Sequence, residues 1–218
     1  MRISMDAKAS IPIGDFSRGG KTRVVVKAQD HDFKPEGKVT PFGFFLPDLP
    51  EFKELYLYLA TSRVTSDFIA DCLNDFWQEQ KERFAHIKKI LINLDNGPEN
   101  HSRRTQFMKR MVDFADETGI EIELDYDPPY HSKYNPIERV WGVLEQHWNG
   151  SLLDSLETVV NFAKTMSYNG VSPFVKVVQK TYETGVKLTQ KVMSLLEDQR
   201  FERLASLEKW FVNIPPLV

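Results

Sequence analysis

The run Ile90-Leu91-Ile92-Asn93-Leu94-Asp95 limits the choice of fold more than any other stretch of this chain. A nearly continuous apolar run of this kind suits a strand buried on both faces of a parallel sheet, where helices cover each side. Its carboxyl end carries an acid, Asp95. Before it, Phe68, Ile69, Cys72, Leu73, Phe76 and Trp77 recur at helical spacing behind a helix start at Thr65-Ser66-Asp67. After it, Phe107, Met108, Met111, Val112 and Ala115 mark a second amphipathic helix, which Gly119 ends in the left-handed conformation that glycine tolerates. Ile120-Glu121-Ile122-Glu123-Leu124 is then the following strand. Such an alternation of strands and helices implies right-handed crossovers and a parallel half-sheet.

Toward the amino terminus, Ile3, Met5 and Ala7 alternate with Ser4, Asp6 and Lys8, which predicts a strand with an apolar face and with Asp6 and Lys8 on the other. Thr22-Arg23-Val24-Val25-Val26 reads as a second strand after the turn at Gly19-Gly20, and Phe42-Gly43-Phe44-Phe45 as a third. Pro41 and Pro47 point to a sheet edge there. Leu55-Tyr56-Leu57-Tyr58-Leu59 alternates like a strand of unassigned partner. The expectation is a mixed α/β sheet.

Asp127-Pro128-Pro129-Tyr130-His131-Ser132 cannot continue a strand, because consecutive prolines remove two ladder donors. It leads to a helix with Asn135 as N-cap, Pro136 in the first turn and a buried stripe of Ile137, Val140, Trp141, Leu144 and Trp148. Glu138 lies beside that stripe. From Gly150 onward the pattern is mostly helical: Leu156, Val159, Val160 and Ala163, then Val192, Leu195 and Leu196 beyond a break near Asn169-Gly170 and Ser172-Pro173. Trp210-Phe211-Val212-Asn213-Ile214 reads as a short strand or an extended tail. The expected division is a core over 1–149 and a helical extension over 150–218 packed on it.

With 218 residues, 41% of them hydrophobic, the chain can bury a large core. One cysteine, Cys72, excludes an internal disulfide and a thiolate zinc site; it reads as a small packing residue in a reducing compartment. No apolar run approaches the roughly 20 residues that span a bilayer, so no membrane role is expected. A net charge of −3 argues against a protein that grips nucleic acid over its whole surface. Any DNA contact must be local, metal-assisted or supplied elsewhere.

Three acids stand where a shared site can form: Asp6 in the first strand, Asp95 at the end of the buried strand and Glu138 in a first helical turn. If the first strand neighbours the Asp95 strand, side chains on one face approach within a few ångströms. Clustered carboxylates suit hard cations such as Mg²⁺ or Mn²⁺, and a pair of such ions activates one oxygen and stabilises another in phosphodiester displacement.

Three segments, Ile3-Ser4-Met5-Asp6-Ala7-Lys8, Leu94-Asp95-Asn96-Gly97-Pro98-Glu99-Asn100 and Pro129-Tyr130-His131-Ser132-Lys133-Tyr134-Asn135-Pro136-Ile137-Glu138-Arg139-Val140-Trp141, carry a family resemblance in their order. The chain resembles the DDE transposases of bacterial insertion sequences, closest to the ISAzo-type group, within the RNase H-like superfamily that includes retroviral integrases. The third segment is the most specific. The resemblance implies an RNase H-like five-stranded mixed sheet flanked by helices, with Asp6, Asp95 and Glu138 holding two Mg²⁺ (or Mn²⁺) ions. It further implies cleavage at insertion-sequence ends followed by strand transfer, on DNA, as a homo-oligomer, in a bacterial cytoplasm and on the nucleoid when DNA-bound. Family members usually carry a DNA-recognition region ahead of the first catalytic strand, which here begins next to Met1, so a truncated remnant that binds DNA or transposase without catalysis is the alternative expectation. A stand-alone RNase H-like nuclease, hydrolysing without joining, is a third.

Each residue has a plainer reading. Asn135-Pro136-Ile137-Glu138 fits a capping box, in which Glu138 bonds back to its own helix start. Asp95-Asn96-Gly97 is ordinary turn chemistry, Asp6 can be a solvated strand residue, and Asp15, Asp125, Asp127 and Glu145 are rival carboxylates. Lys8, Asn96, Arg103, Arg104, His131, Ser132, Lys133 and Arg139 are the candidate DNA contacts. His101, Arg103, Arg104, Lys109 and Arg110 equally fit a charged helix face. Trp141 and Trp148 read as core anchors, and Gly142 as room for metal or DNA, or as packing.

Overall fold

A computed structural model describes residues 1–17, 22–26, 35–48, 54–128 and 134–217 of the chain. Its elements, in chain order, are β1 (Arg2–Ala7), β2 (Ile11–Ile13), β3 (Gly37–Leu46), β4 (Glu54–Ala60), α1 (Ser66–Gln80), β5 (Lys89–Leu94), α2 (Thr105–Thr118) and β6 (Glu121–Tyr126). Then follow α3 (Ile137–His147), α4 (Leu156–Thr165), β7 (Phe174–Val178), α5 (Gln190–Arg200), β8 (Glu202–Arg203) and β9 (Phe211–Ile214). The helix signals act as read: the Thr65 side chain accepts from the Phe68 amide at 3.2 Å to cap α1, and Gly119, at φ 69°, closes α2 with its N–H on the Ala115 carbonyl.

The strands form one mixed sheet in the order β7-β4-β3-β1-β5-β6-β9-β8, with β2 paired to β3. β1, β5 and β6 run parallel, while β3 is antiparallel to both β1 and β4. The sheet counts nine strands among the described residues, against the five expected; β4-β3-β1-β5-β6 form its centre, and β7 and β9 extend its two ends.

Alternation along the central strands builds a core on each face. Ile3, Met5, Phe44, Ile90, Ile92, Ile122 and Leu124 pack under α1 and α2. Leu55, Leu57 and Leu59 pack under α3 and α4 with Ile137, Trp141, Val159 and Ala163. The polar face of β1 is therefore covered: Ser4 and Asp6 are buried beneath α3 rather than turned to solvent. Gly43, registered opposite Asp6, makes that cover possible. A Cβ built there would lie 2.9 Å from Ile137 Cδ1, 2.9 Å from the Trp141 ring and 3.0 Å from Leu57 Cδ2. Gly43→Ala is expected to cost about 1–3 kcal/mol, the usual range for overpacking a filled core. Denaturant midpoints of the two proteins check this.

Three expectations change. Thr22–Val26 forms no strand: Val24 and Val25 are exposed, and the Arg23 amide donates to the Gly150 carbonyl. The strand that pairs with β3 at that end is β2. Pro41 lies inside the interior strand β3, not at an edge. Its carbonyl accepts from the Lys8 amide at 2.8 Å, and in an antiparallel strand a residue's N and C=O face the same neighbour. The missing N–H therefore falls just past Ala7↔Phe42, where the β1–β3 ladder has ended.

Finally, residues 150–218 hold the expected helices α4 and α5 but also β7, β8 and β9. The predicted apolar stripe of α5 is not buried, since Val192 and Leu195 are exposed. Arg200 ties that helix to Asp116 of α2 and to the Pro215 carbonyl.

Candidate active site

The site is assembled by register. The β1–β5 ladder pairs Ile3 with Ile92 and Ser4 with Asn93; carried two residues further, it sets Asp6 beside Asp95 at the carboxyl ends of neighbouring parallel strands. Both side chains line one cleft of about 190 Å³ with Phe42, Ile69 and Asn100. Asp6 is only 8% exposed. Its carboxyl is pushed up to about 7, first by burial and then by the charge of Asp95, with Glu138 adding to the effect. The Trp141 indole Nε1–H, donating to Asp6 Oδ2 at 2.8 Å, opposes that rise.

Asp95 is held by its own loop. Asn100 Nδ2 donates to Asp95 Oδ1 at 2.8 Å. The Gly97 backbone passes so close that a Cβ would lie 3.1 and 3.2 Å from the two Asp95 oxygens and 2.9 Å from Asn100 Oδ1. Glu99 anchors the loop to α1: Ser66 Oγ donates to the Glu99 carbonyl at 2.7 Å, and Arg104 donates to the Glu99 carboxylate at 3.0 Å.

Glu138 arrives with α3, whose start is joined to β1 by Ser4. The Ser4 hydroxyl accepts from the Ile137 amide at 2.9 Å and donates to Asn135 Oδ1, while Asn135 Nδ2 donates to the Met5 carbonyl at 3.0 Å. The cap is thus supplied by a residue 133 positions away. No side chain of the helix's own segment caps it, and Pro136, not Asn135, holds the N-cap position. Glu138 is therefore not the third-position partner of a capping box. Its carboxyl is raised by burial and by Asp95, and Lys8 pulls it the other way.

Among the rivals, Asp127 joins the same electrostatic cluster. It is pushed up to about 6, mainly by burial, then by Asp125 and Asp95, with a contribution from Glu138. Among the described residues its buried Oδ2 has no hydrogen-bond partner. Asp125 accepts from Asn93 at 2.9 Å, Asp15 is exposed, and Glu145 pairs with Lys8 at 2.9 Å. Among the described residues, no three His, Cys, Asp or Glu side chains are disposed to hold a metal ion as they stand. Asp6 and Asp95 share the cleft, whereas Glu138 reaches them through its charge.

Of the proposed DNA contacts, Asn96, Arg103 and Arg139 are exposed. Lys8 and Arg104 are ion-paired and mostly covered. His131, Ser132 and Lys133 lie outside the described residues. Lys109 pairs with Asp113, and Arg110 with Asp67 and Asp71, as a charged helix face would. Trp141 and Asn100 were not singled out by periodicity as site residues. The one available signal was chemical: a buried indole needs an acceptor for its N–H, and Trp141 stands three residues from Glu138 on one helical face.

Acids thus stand at the carboxyl ends of two adjacent central strands of a mixed sheet, with a third on a covering helix. The fold is similar to that of the Mos1 transposase in its paired-end complex with the left transposon end, with a TM-score of 0.51 at 12% identity over 74% of this chain and 46% of that one. The chain spans about half the length of that transposase chain. It belongs to the family described as the Rhodopirellula transposase DDE domain, which matches residues 1–216. Members of this class of transposase generally use divalent metals. No curated protein matches the chain in sequence. No helix among the described residues is long and apolar enough to cross a membrane.

Proposed function

We propose that the chain is the catalytic domain of a transposase that cleaves DNA at insertion-sequence ends and joins the freed 3′ ends to target DNA. The observation that carries this reading is the placement of Asp6 and Asp95 side by side in one cleft, with the helix of Glu138 fastened to the same strand by Ser4. Uncompensated carboxylates in a partly buried site are costly, and the raised carboxyls of Asp6, Glu138 and Asp127 express that cost. Their hard oxygens fit two Mg²⁺ or Mn²⁺ ions, with Asp6, Asp95 and Glu138 as the holders. Such ions, when bound, supply activation of the attacking oxygen and stabilisation of the leaving one.

The protein's own part is to hold the acids and the DNA. β1 and β5 fix the two aspartates at sheet precision, and α3, fastened to β1 by Ser4, carries Glu138, whose charge reaches them. Exposed Asn96, Arg103 and Arg139, together with Lys8, Arg104, His131, Ser132 and Lys133, are the proposed phosphate contacts, with Lys8 and Arg104 exchanging Glu145 and Glu99 for DNA. Residues 1–149 act as the catalytic core, and 150–218 complete the sheet around it. DNA ends and target are the partners, engaged by a homo-oligomer in a bacterial cytoplasm. That Mos1 was captured with a transposon end supports DNA as the substrate class.

The test is a cleavage and strand-transfer assay on the element's own ends, with any recognition region supplied, in Mg²⁺ or Mn²⁺. Asp95→Ala is expected to abolish cleaved and joined products. Equal activity of Asp95→Ala and the parent would end the reading, and cleavage without joining would convert it to a nuclease. The lack of a closed three-carboxylate site among the described residues favours a second reading, a DNA- or transposase-binding module without catalysis. Saturable Mn²⁺ binding lost in Asp95→Ala excludes it; DNA binding with no Mn²⁺ binding establishes it.

A further inference from the structure

Each aspartate of the cleft already has one oxygen engaged by an uncharged donor. On Asp6 it is Oδ2, held by the Trp141 indole at 2.8 Å; on Asp95 it is Oδ1, held by Asn100 Nδ2 at 2.8 Å. The donors come from different elements, α3 and the loop after β5, and both are locked. Trp141 is 5% exposed, with its ring against the space that Gly43 leaves empty. Asn100 is 7% exposed and accepts the Tyr126 hydroxyl on its carbonyl at 2.9 Å. Among the described residues its own Oδ1 is buried without a partner, an arrangement that is costly and persists where something else dictates the orientation. Here that is the carboxylate: turning the amide over would set Oδ1 against the Asp95 oxygens.

Neutral donors have a particular consequence. A lysine or arginine at these positions would orient the carboxylates but also cancel their charge and weaken a cation's hold. Indole and amide orient them while leaving both charges available. They also compete for the oxygen that a two-oxygen grip on a cation would need. Ca²⁺ takes carboxylates in one- or two-oxygen mode with 6–8 ligands, whereas Mg²⁺ demands a near-octahedral shell and is bound through one or two carboxylates with several waters.

We propose that Trp141 and Asn100 are positioning residues that leave Asp6 and Asp95 one cation-facing oxygen each, and so select a small octahedral divalent cation over calcium. The proposal rests on the metal-binding reading of the site.

Calorimetric titration of the metal-free full chain with Mn²⁺ and separately with Ca²⁺ tests it, using the parent, Trp141→Phe and Asn100→Leu. Each variant keeps an apolar group of similar shape and loses the donor. The expected result is a shift of the Ca²⁺-to-Mn²⁺ affinity ratio toward Ca²⁺ by about tenfold per variant, the size of one hydrogen bond to a charged group. Equal loss of both affinities, or an unchanged ratio in both variants, overturns the proposal while leaving the metal reading intact. A parent that binds neither ion overturns the metal reading and the proposal with it. An independent readout needs no metal: the indole N–H proton resonance assigned to Trp141 is expected to move when Asp6→Ala removes its acceptor, and an unmoved resonance counts against the geometry. Should Trp141→Phe not fold, Asn100→Leu carries the ratio measurement alone.

Discussion

Asp6→Asn is expected to stabilise the metal-free protein at pH 8 by up to about 4 kcal/mol while removing DNA cleavage. The stability arm follows from linkage. The Asp6 carboxyl rises from 3.8 to about 7 in the folded chain, so the folded state binds that proton more tightly than the unfolded state. The associated stability is fully present below the unfolded value, is lost as pH rises through about 7, and is gone at pH 8. About three pKa units at 1.36 kcal/mol each set the upper figure. For a chain of this size that corresponds to about 10 °C in Tm. Asp127 and Glu138 shift in the same direction but are more exposed and contribute less.

Thermal unfolding in a chelator, from pH 5 to pH 8, reads this out. The parent should lose stability across the window and Asp6→Asn should hold it, whereas excess Mn²⁺ should rescue the parent alone. A parent with no downward slope would show that Asp6 is neither desolvated nor repelled as its surroundings dictate. The activity arm is at least about a 10³-fold loss, since several kcal/mol of charge stabilisation go with a lost ligand. A substitution that strengthens the fold and silences the chemistry is the mark of a site whose groups are held together against their mutual repulsion.

Ser4→Ala should have a large effect for a single-atom deletion. The hydroxyl is fully buried, accepts from the Ile137 amide and donates to Asn135 Oδ1. Alanine leaves a buried N–H and a buried carbonyl oxygen without partners, and the expected cost is about 2–4 kcal/mol. The damage should be local in its first expression: the Ile137 amide should exchange with deuterium far faster than amides in the middle of α3. Mn²⁺ affinity should fall as well, because Glu138 is the next residue. If stability and Ile137 protection are both unchanged, Ser4 is not what fastens the helix to β1.

These two residues also show what a sequence of this kind discloses. The alternation around Asp6, the apolar run before Asp95 and the helical stripe beside Glu138 are local patterns, so β1, β5, β6 and α1 to α4 were readable from them. Distance hid the rest. The bond from Ser4 to Ile137 spans 133 positions and Trp141 reaches Asp6 across 135, and no window of periodicity contains both partners. The capping-box pattern at Asn135 was locally sound and lost to a better donor and acceptor from another strand.

Thr22–Val26 has strand composition but pairs with no strand among the described residues, and Val24 and Val25 stay in solvent. Phe174–Val178 failed in the opposite sense. It is a strand at the sheet's end with scarcely a buried residue, and its pairing with β4 leaves little trace in hydrophobicity. Phe211–Ile214, read as strand or tail, is fixed as a strand by its ladder to β6.

The outer edges of β4 and β6 are both covered by strands made much later in the chain, β7 beside β4 and β9 beside β6. During synthesis, then, the outer rims of β4 and β6 stand open until 118 and 88 further residues have been made, as the Leu59↔Val177 and Leu124↔Val212 pairs require. Open rims of this kind are templates for pairing between chains, and long-range ladders close slowly. A product cut short before β7 and β9 are made would therefore be sticky rather than merely inactive.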